Sequence, residues 1–226
     1  MTGCIIVAAG RGTRFKSRMP KTFFLLKDKP LLQYSLETFS KCEAIDEIVL
    51  VVQRRFLKNK YVLNWKKHFP KIKSFVAGGE FREESVLNGL KKCSNNCEVI
   101  LIHDGARPFL TCNLIKRVEE AALKYGACIP VYPVNGSVKI VRNRKLAGTI
   151  YEKDVEIAQT PQGFRRDILE KIFKKYRKEL NKFPDESSMC EKYGFPVHTI
   201  RGESTNIKIT NRQDLKIALA LLAEDH

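Results

Sequence analysis

The chain has 226 residues, with 41 Lys and Arg against 25 Asp and Glu, a formal net charge of +16, and 43% hydrophobic content. This is enough for one substantial core with no linker dividing it, so the sequence reads as a single domain over 1–226. No apolar stretch reaches the length of a membrane span and no signal peptide opens the chain, which points to a cytoplasmic protein.

The seven cysteines are odd in number and scattered, as expected of reduced thiols acting as small hydrophobes rather than a disulfide framework. Cys93 and Cys97 form the only close pair, and without a second pair or nearby histidines they do not make a zinc site. The positive charge suits phosphorylated small molecules, nucleic acid or an anionic membrane surface. Much of it falls on helical faces, as in Lys171, Lys174, Lys175, Arg177 and Lys178, where it reads as solvated surface. The basic segments lack the interleaved aromatics of a nucleic-acid binder, so neither nucleic acid nor membrane is an expected partner.

In chain order, the apolar run Cys4 to Ala9 predicts a buried strand that turns at Gly10 and Gly12, with Arg11, Arg14 and Lys21 following. Pro30 opens an amphipathic helix, with Leu31, Leu32, Leu36 and Phe39 at helical spacing. Glu47 to Gln53 is a second strand, Phe56 to Phe69 a basic helix and Ile72 to Ala77 a third strand. Gly78 and Gly79 turn into a helix from about Arg82; Val99 to Ile102 is a fourth strand, Asn113 to Tyr125 a helix and Cys128 to Val134 a fifth strand. The segment Ser137 to Ile150 alternates around Asn143-Arg144-Lys145 and predicts a hairpin, part of an arm at about 135–155 suited to dimerisation. Arg165 to Asn181 predicts a long basic helix, Asp185 an N-cap for a short helix ending at Gly194, and residues 196–210 edge strands before a closing amphipathic helix.

Alternating strands and helices predict an α/β fold: a Rossmann-like, mostly parallel sheet covered on both faces, with a protruding β-arm. Ligands of such sheets bind beyond the carboxyl ends of the strands. The polar segments Gly10 to Arg14, Gly78 to Ser85 and His103 to Arg107 all follow strands directly, so they should converge on one site. The first loop lacks the Lys-Ser/Thr ending of a P-loop and the third glycine of a dinucleotide fingerprint. Its arginines and lysine suit instead a phosphorus centre whose oxygens gain negative charge.

The motifs AAGRGTRF with Pro20-Lys21, GGEFREESVLNGL, HDGARPF, AQTPQGF, DESSMCEKYG and NIKIT resemble, in order and over nearly the whole chain, the cytidylyltransferases of the non-mevalonate isoprenoid pathway. That resemblance implies a GT-A-like nucleotidyltransferase that joins CTP to a small phosphorylated polyol and releases pyrophosphate. The implied acceptor is 2-C-methyl-D-erythritol 4-phosphate, with ribitol 5-phosphate or another sugar phosphate as the alternative. It also implies a Mg²⁺-dependent homodimer. Carried over to this chain, Arg14, Lys21 and Lys208 are the catalytic cations. Ala8, Ala9, Gly10, Arg11, Gly12, Thr13, Gly79, Arg82, Ser85, Asp104, Gly105 and Ala106 are the nucleotide-binding set. Asp104, Arg107, Ser137, Lys153 and Thr160 face the acceptor, and Asp104 is the metal ligand.

The resemblance breaks at the arm, where Glu152 stands in place of the arginine usual before the AQTPQ motif, with Lys153 adjacent as its replacement. Pro184 likewise stands where a threonine is usual. The phosphate monoester that the resemblance implies as acceptor has a second pKa near 6 and is already mostly ionised at neutral pH. The reaction therefore needs no general base, and His103 reads as structural.

Overall fold

In this computed structural model, residues 1–10, 15, 19–151 and 155–224 are described. Strand β1 (Thr2–Val7) lies at the middle of an eight-stranded sheet of order β10-β7-β11-β6-β1-β4-β5, with β12 also paired to β7. It runs parallel to β4 (Glu47–Val52) and β6 (Val99–Asp104), and β5 (Ile72–Ala77) extends the parallel edge beyond β4. The mostly parallel α/β architecture is as expected from the sequence.

Every residue of β4 and β6 is buried, because helices cover both faces. On one face, Cys4, Ile6, Leu50 and Leu101 pack against α1 (Leu31–Lys41), α2 (Lys60–His68) and α4 (Cys112–Tyr125) through Leu36, Phe39, Trp65, Leu114 and Val118. On the other, Ile5, Val49, Val51 and Ile102 meet α3 (Arg82–Leu90), α5 (Arg166–Lys175) and α6 (Glu186–Tyr193) through Val86, Leu90, Leu169, Ile172 and Met189. Alternate residues of one strand thus feed opposite cores, which is why the strand text is continuously apolar. A smaller cluster of Phe15, Leu26, Leu31, Ile209 and Ala218 seats α7 (Arg212–Glu224) and the short β2–β3 pair (Leu25–Leu26, Lys29–Pro30).

Several boundaries move from their sequence expectation. The first strand starts at Thr2 and ends at Val7, so Ala8 and Ala9 belong to the loop. Helix α2 begins only at Lys60, where the Asn59 side chain accepts the Tyr61 N–H at 3.0 Å; a single 3-10 turn at Arg54–Phe56 comes before it. The expected long helix after Arg165 closes at Lys175, and a 3-10 turn, Leu180–Lys182, follows. Tyr176 there packs against Phe183 and Tyr193, which draws the chain away from the helix axis.

The AQTPQGF segment enters the sheet: β11 (Gln162–Arg165) is inserted antiparallel between β6 and β7 (Ala127–Pro133), and β10 (Glu156–Ala158) pairs with β7. Of the expected edge strands, only β12 (His198–Arg201) forms, parallel to β7; residues 205–210 run outside any strand. The arm is a two-stranded ribbon, β8 (Val138–Arg142) and β9 (Lys145–Ile150), turning at Asn143 and Arg144 with φ of 49° and 62°. Two consecutive left-handed residues are what a tight hairpin requires.

Candidate active site

At the carboxyl ends of β1, β4, β5 and β6 lies a cleft of about 590 Å³. Its walls are the expected loops at Ala8–Gly10, Gly78–Ser85 and Asp104–Ala106, joined by Lys21, Thr22, Lys208 and Thr210. A further wall, Gln53 to Arg55, was not anticipated, although it directly follows β4 and the strand-end rule applied to every strand would have found it.

The glycine turn after β5 is built by contact. A Cβ on Gly78 would lie 2.2 Å from the Ala9 Cβ, so only glycine lets this loop close onto the loop after β1. The Ser85 hydroxyl accepts the Gly79 N–H at 3.0 Å and donates to the Phe81 carbonyl at 3.0 Å, locking the turn to the start of α3. Across the cleft, the Gln53 amide donates to the Gly10 carbonyl at 3.1 Å and ties down the start of the loop after β1. Arg11, Gly12, Thr13, Arg14 and Lys153, all expected site residues, lie outside the described residues.

Asp104 is the electrostatic centre. Its Oδ1 faces Arg82 Nε at 3.2 Å and its Oδ2 faces Lys208 Nζ at 2.6 Å. Burial raises the Asp104 carboxyl pKa, but Arg82 and Lys208 outweigh burial and hold it well below the usual carboxylate range. Arg82 is shared, its Nη1 meeting Glu186 Oε2 at 2.8 Å. Burial lowers the guanidinium pKa, but Glu186 and Asp104 overcome it, and Arg82 stays charged.

Lys21 donates to the Ile209 carbonyl at 2.7 Å, which brings this lysine, expected from the sequence to be catalytic, next to the segment carrying Lys208. That segment is not the alternating edge strand expected for it. Its backbone is pinned by the Ile209 N–H to the Ala106 carbonyl at 2.8 Å and by buried Asn206, which donates to the Thr160 carbonyl at 2.8 Å. Asn206 also donates to Gln159 Oε1 at 3.2 Å, so the AQTPQ and NIKIT motifs interlock to place Lys208.

Four expected site residues take other positions. Arg107 is buried, and its guanidinium donates to the Asn206 and Ala158 carbonyls at 2.8 and 3.2 Å; it is a strut behind the cleft, not a cation presented to it. Thr160 is also internal. Its hydroxyl accepts the Asp104 N–H at 3.1 Å and faces His103 Nδ1 at 3.1 Å. His103 Nε2 points at the Arg107 carbonyl at 3.1 Å, an acceptor, so Nε2 carries the proton and Nδ1 accepts from Thr160. Burial pushes the imidazole down to about 3, which keeps it neutral and structural. Gly105 sits behind the wall, where a Cβ would meet Leu32 at 2.7 Å. Ser137 lies at the base of the arm, in a separate hollow of about 360 Å³ with Gly136, Thr149 and Tyr151.

A family model for IspD, 2-C-methyl-D-erythritol 4-phosphate cytidylyltransferase, matches residues 3–224. The chain belongs to this family. A relative of that name from Clostridium botulinum (strain Langeland / NCTC 10281 / Type F) is 39% identical over 219 residues, covering 96% of both chains. Among solved structures, 4-diphosphocytidyl-2C-methyl-D-erythritol synthase from Anaerococcus prevotii DSM 20548 superposes with a TM-score of 0.85 at 29% identity, covering 98% of this chain and 96% of that one. The 2-C-methyl-D-erythritol 4-phosphate cytidylyltransferase from Thermus thermophilus gives 0.81 at 28% identity, covering 97% and 98%. The IspD-family fold thus extends over nearly the whole chain, inserted strand β11 included. Among the described residues, no helix is long and apolar enough to cross a membrane.

Proposed function

We propose that this chain joins CTP to 2-C-methyl-D-erythritol 4-phosphate, giving 4-diphosphocytidyl-2-C-methyl-D-erythritol and pyrophosphate. The observation that carries the reading is the meeting of Lys21, Lys208 and Asp104 in one cleft at the carboxyl edge of the sheet, in a chain of this family. The acceptor's phosphate oxygen is the nucleophile. It attacks the α-phosphorus in line with the departing pyrophosphate, and no side chain needs to take a proton. What opposes the reaction is the repulsion between two polyanions, which Lys21, Lys208 and Arg14 offset as charge builds on the phosphorus oxygens. The turn at Gly78 and Gly79 holds the base, with Ser85 and Arg82 keeping its shape.

A divalent cation fits the donor set. Among the described residues no group of three or more His, Cys, Asp or Glu is placed to hold a metal. Mg²⁺, however, characteristically takes one or two carboxylates and completes its shell with substrate phosphates and water. Asp104 is that one carboxylate, and Lys208 Nζ already holds a positive charge against its Oδ2. When bound there, Mg²⁺ would neutralise phosphate charge and orient the triphosphate.

The chain is read as one domain over 1–226 whose arm, about 135–155, pairs two copies in a cytoplasmic homodimer. Ser137 and Lys153 lie in that arm, and the acceptor end of the site is assigned to it. The test is purified protein with CTP, Mg²⁺ and 2-C-methyl-D-erythritol 4-phosphate, with ribitol 5-phosphate run alongside. Pyrophosphate release is expected with the first acceptor, and its absence sinks the reading. In the same assay Lys21→Met should lower the rate by about 10²–10³-fold, as loss of one transition-state donor does.

A further inference from the structure

We propose that Glu186 is a buried counter-ion that fixes Arg82 on one oxygen of Asp104 and so reserves the other oxygen for exchange between Lys208 and a divalent cation. The inference deepens the nucleotidyl-transfer reading above and rests on it for the identity of the incoming cation.

Glu186 has no solvent exposure and does not line the cleft. It opens α6, behind Arg82, and its Oε2 accepts Arg82 Nη1 at 2.8 Å while its buried Oε1 has no hydrogen-bond partner. A sealed carboxylate whose strongest contact is one guanidinium holds that guanidinium firmly, because separation would leave an uncompensated buried charge. Arg82 is therefore an anchored neighbour of Asp104, bound through Nε to Oδ1 at 3.2 Å.

Lys208 is held differently. Its side chain is 39% exposed, its ammonium meets Oδ2 at 2.6 Å, and Asp104 is its only ion-pair partner among the described residues. A half-exposed ammonium held at a single point on a flexible stem can give way to another cation that takes over the charge on Asp104. The two oxygens of one carboxylate thus carry one fixed and one exchangeable cation.

The same geometry solves a charge conflict. A carboxylate beside two full positive charges is a poor ligand for a divalent cation, and Glu186 offsets the charge that cannot leave. A divalent cation held by Asp104 would compete with Lys208 for the carboxylate, and a displaced Lys208 would be free to meet the phosphates, which would couple occupancy of the acid to delivery of the lysine. Glu186 touches no substrate in this scheme; it is a positioning residue acting through Arg82.

The test reads binding without turnover. Glu186→Gln keeps the volume and removes the charge. Mn²⁺ affinity, measured by water-proton relaxation with CTP present and acceptor absent, should weaken roughly tenfold once the offset to Arg82 is gone. In an Arg82→Gln background the same substitution should have no effect on Mn²⁺ affinity. A purely structural Glu186 would lower thermal stability in both backgrounds and leave Mn²⁺ affinity alone, and a folded Glu186→Gln with a change under about twofold overturns the proposal. Should Glu186→Gln fail to fold, the unaltered protein decides. Mg²⁺ should raise the acylation rate of Lys208, followed by mass spectrometry, several-fold over the metal-free protein, and an unchanged rate refutes the exchange. Pyrophosphate release by the unaltered protein is scored separately, so failure here leaves the assigned activity standing, and the reverse.

Discussion

The residue that looks most like a catalyst in the motif His103-Asp104-Gly105 is the one removed from chemistry. His103 is sealed beneath the cleft, edge-on to Phe39 at 5.1 Å, between Thr160 and the Arg107 carbonyl. Its folded pKa of about 3 lies below the unfolded value near 6.5, so the unfolded chain binds the extra proton in the window between them. Stability therefore rises with pH up to about 6.5 and falls as pH drops toward 3, the sign set by more protons on the unfolded state. At pH 5 the His103 contribution amounts to about 2 kcal/mol of lost stability relative to pH 8. Urea titrations of the metal-free protein at the two pH values check this, and His103→Gln, which cannot charge, should flatten most of the difference. The rate, by contrast, should show no histidine limb between pH 6 and 9. This neutrality was legible in the sequence, because the chemistry needs no base. The internal placement of Arg107 and Thr160 was not. Motif matching locates a residue on a loop, but whether its side chain faces the cleft or the scaffold depends on partners far along the chain, here Asn206 and Ala158.

At the scale of elements, caps and strand cores could be read from the sequence, as could the extents of α4 and α6, whereas the start of α2 and the end of α5 could not. Asp185 was expected as an N-cap, and its Oδ1 accepts the Ser188 N–H at 2.9 Å, with Gly194 closing the helix at φ 93°. What the sequence does not reveal is the second job of the same carboxylate: Oδ2 accepts from buried Gln162 of β11 at 3.0 Å, tying α6 to the inserted strand. Asp185→Ala removes the cap and strands the Gln162 amide, and should cost about 2–3 kcal/mol by urea unfolding, more than a cap alone. Asp185→Asn, which keeps an acceptor for Ser188, should recover part of it; equal loss in both variants would mean that the charge rather than the cap matters. Strand β11 itself escaped notice because it is short, contains a glycine and is antiparallel in a parallel context. Gly163 is needed there since a Cβ would meet Val118 at 2.8 Å and Ala122 at 2.9 Å on α4.

At the scale of the whole molecule, one element among the described residues is not used by the core. The β8–β9 ribbon forms a separate two-stranded sheet whose Val141 and Leu146 are 62% and 66% exposed, with Ile140 and Tyr151 also outside. A lone two-stranded ribbon is marginal in water, and exposed apolar side chains along it need cover. The cover proposed here is a second copy of the same arm, since a two-fold axis lets each ribbon serve as the other's partner. Sedimentation equilibrium should find a dimer at micromolar concentration, and Val141→Asp with Leu146→Asp should give a monomer with unchanged circular dichroism. The kinetic consequence separates this from a mere packing role. Because the cleft proposed to hold CTP is built from the sheet edge while Ser137 lies in the arm, the monomeric variant should keep its KM for CTP and lose affinity for the acceptor. A parallel rise in both constants would place the arm's effect in the body of the protein, and a wild-type protein that sediments as a monomer would remove the arm from the active site altogether.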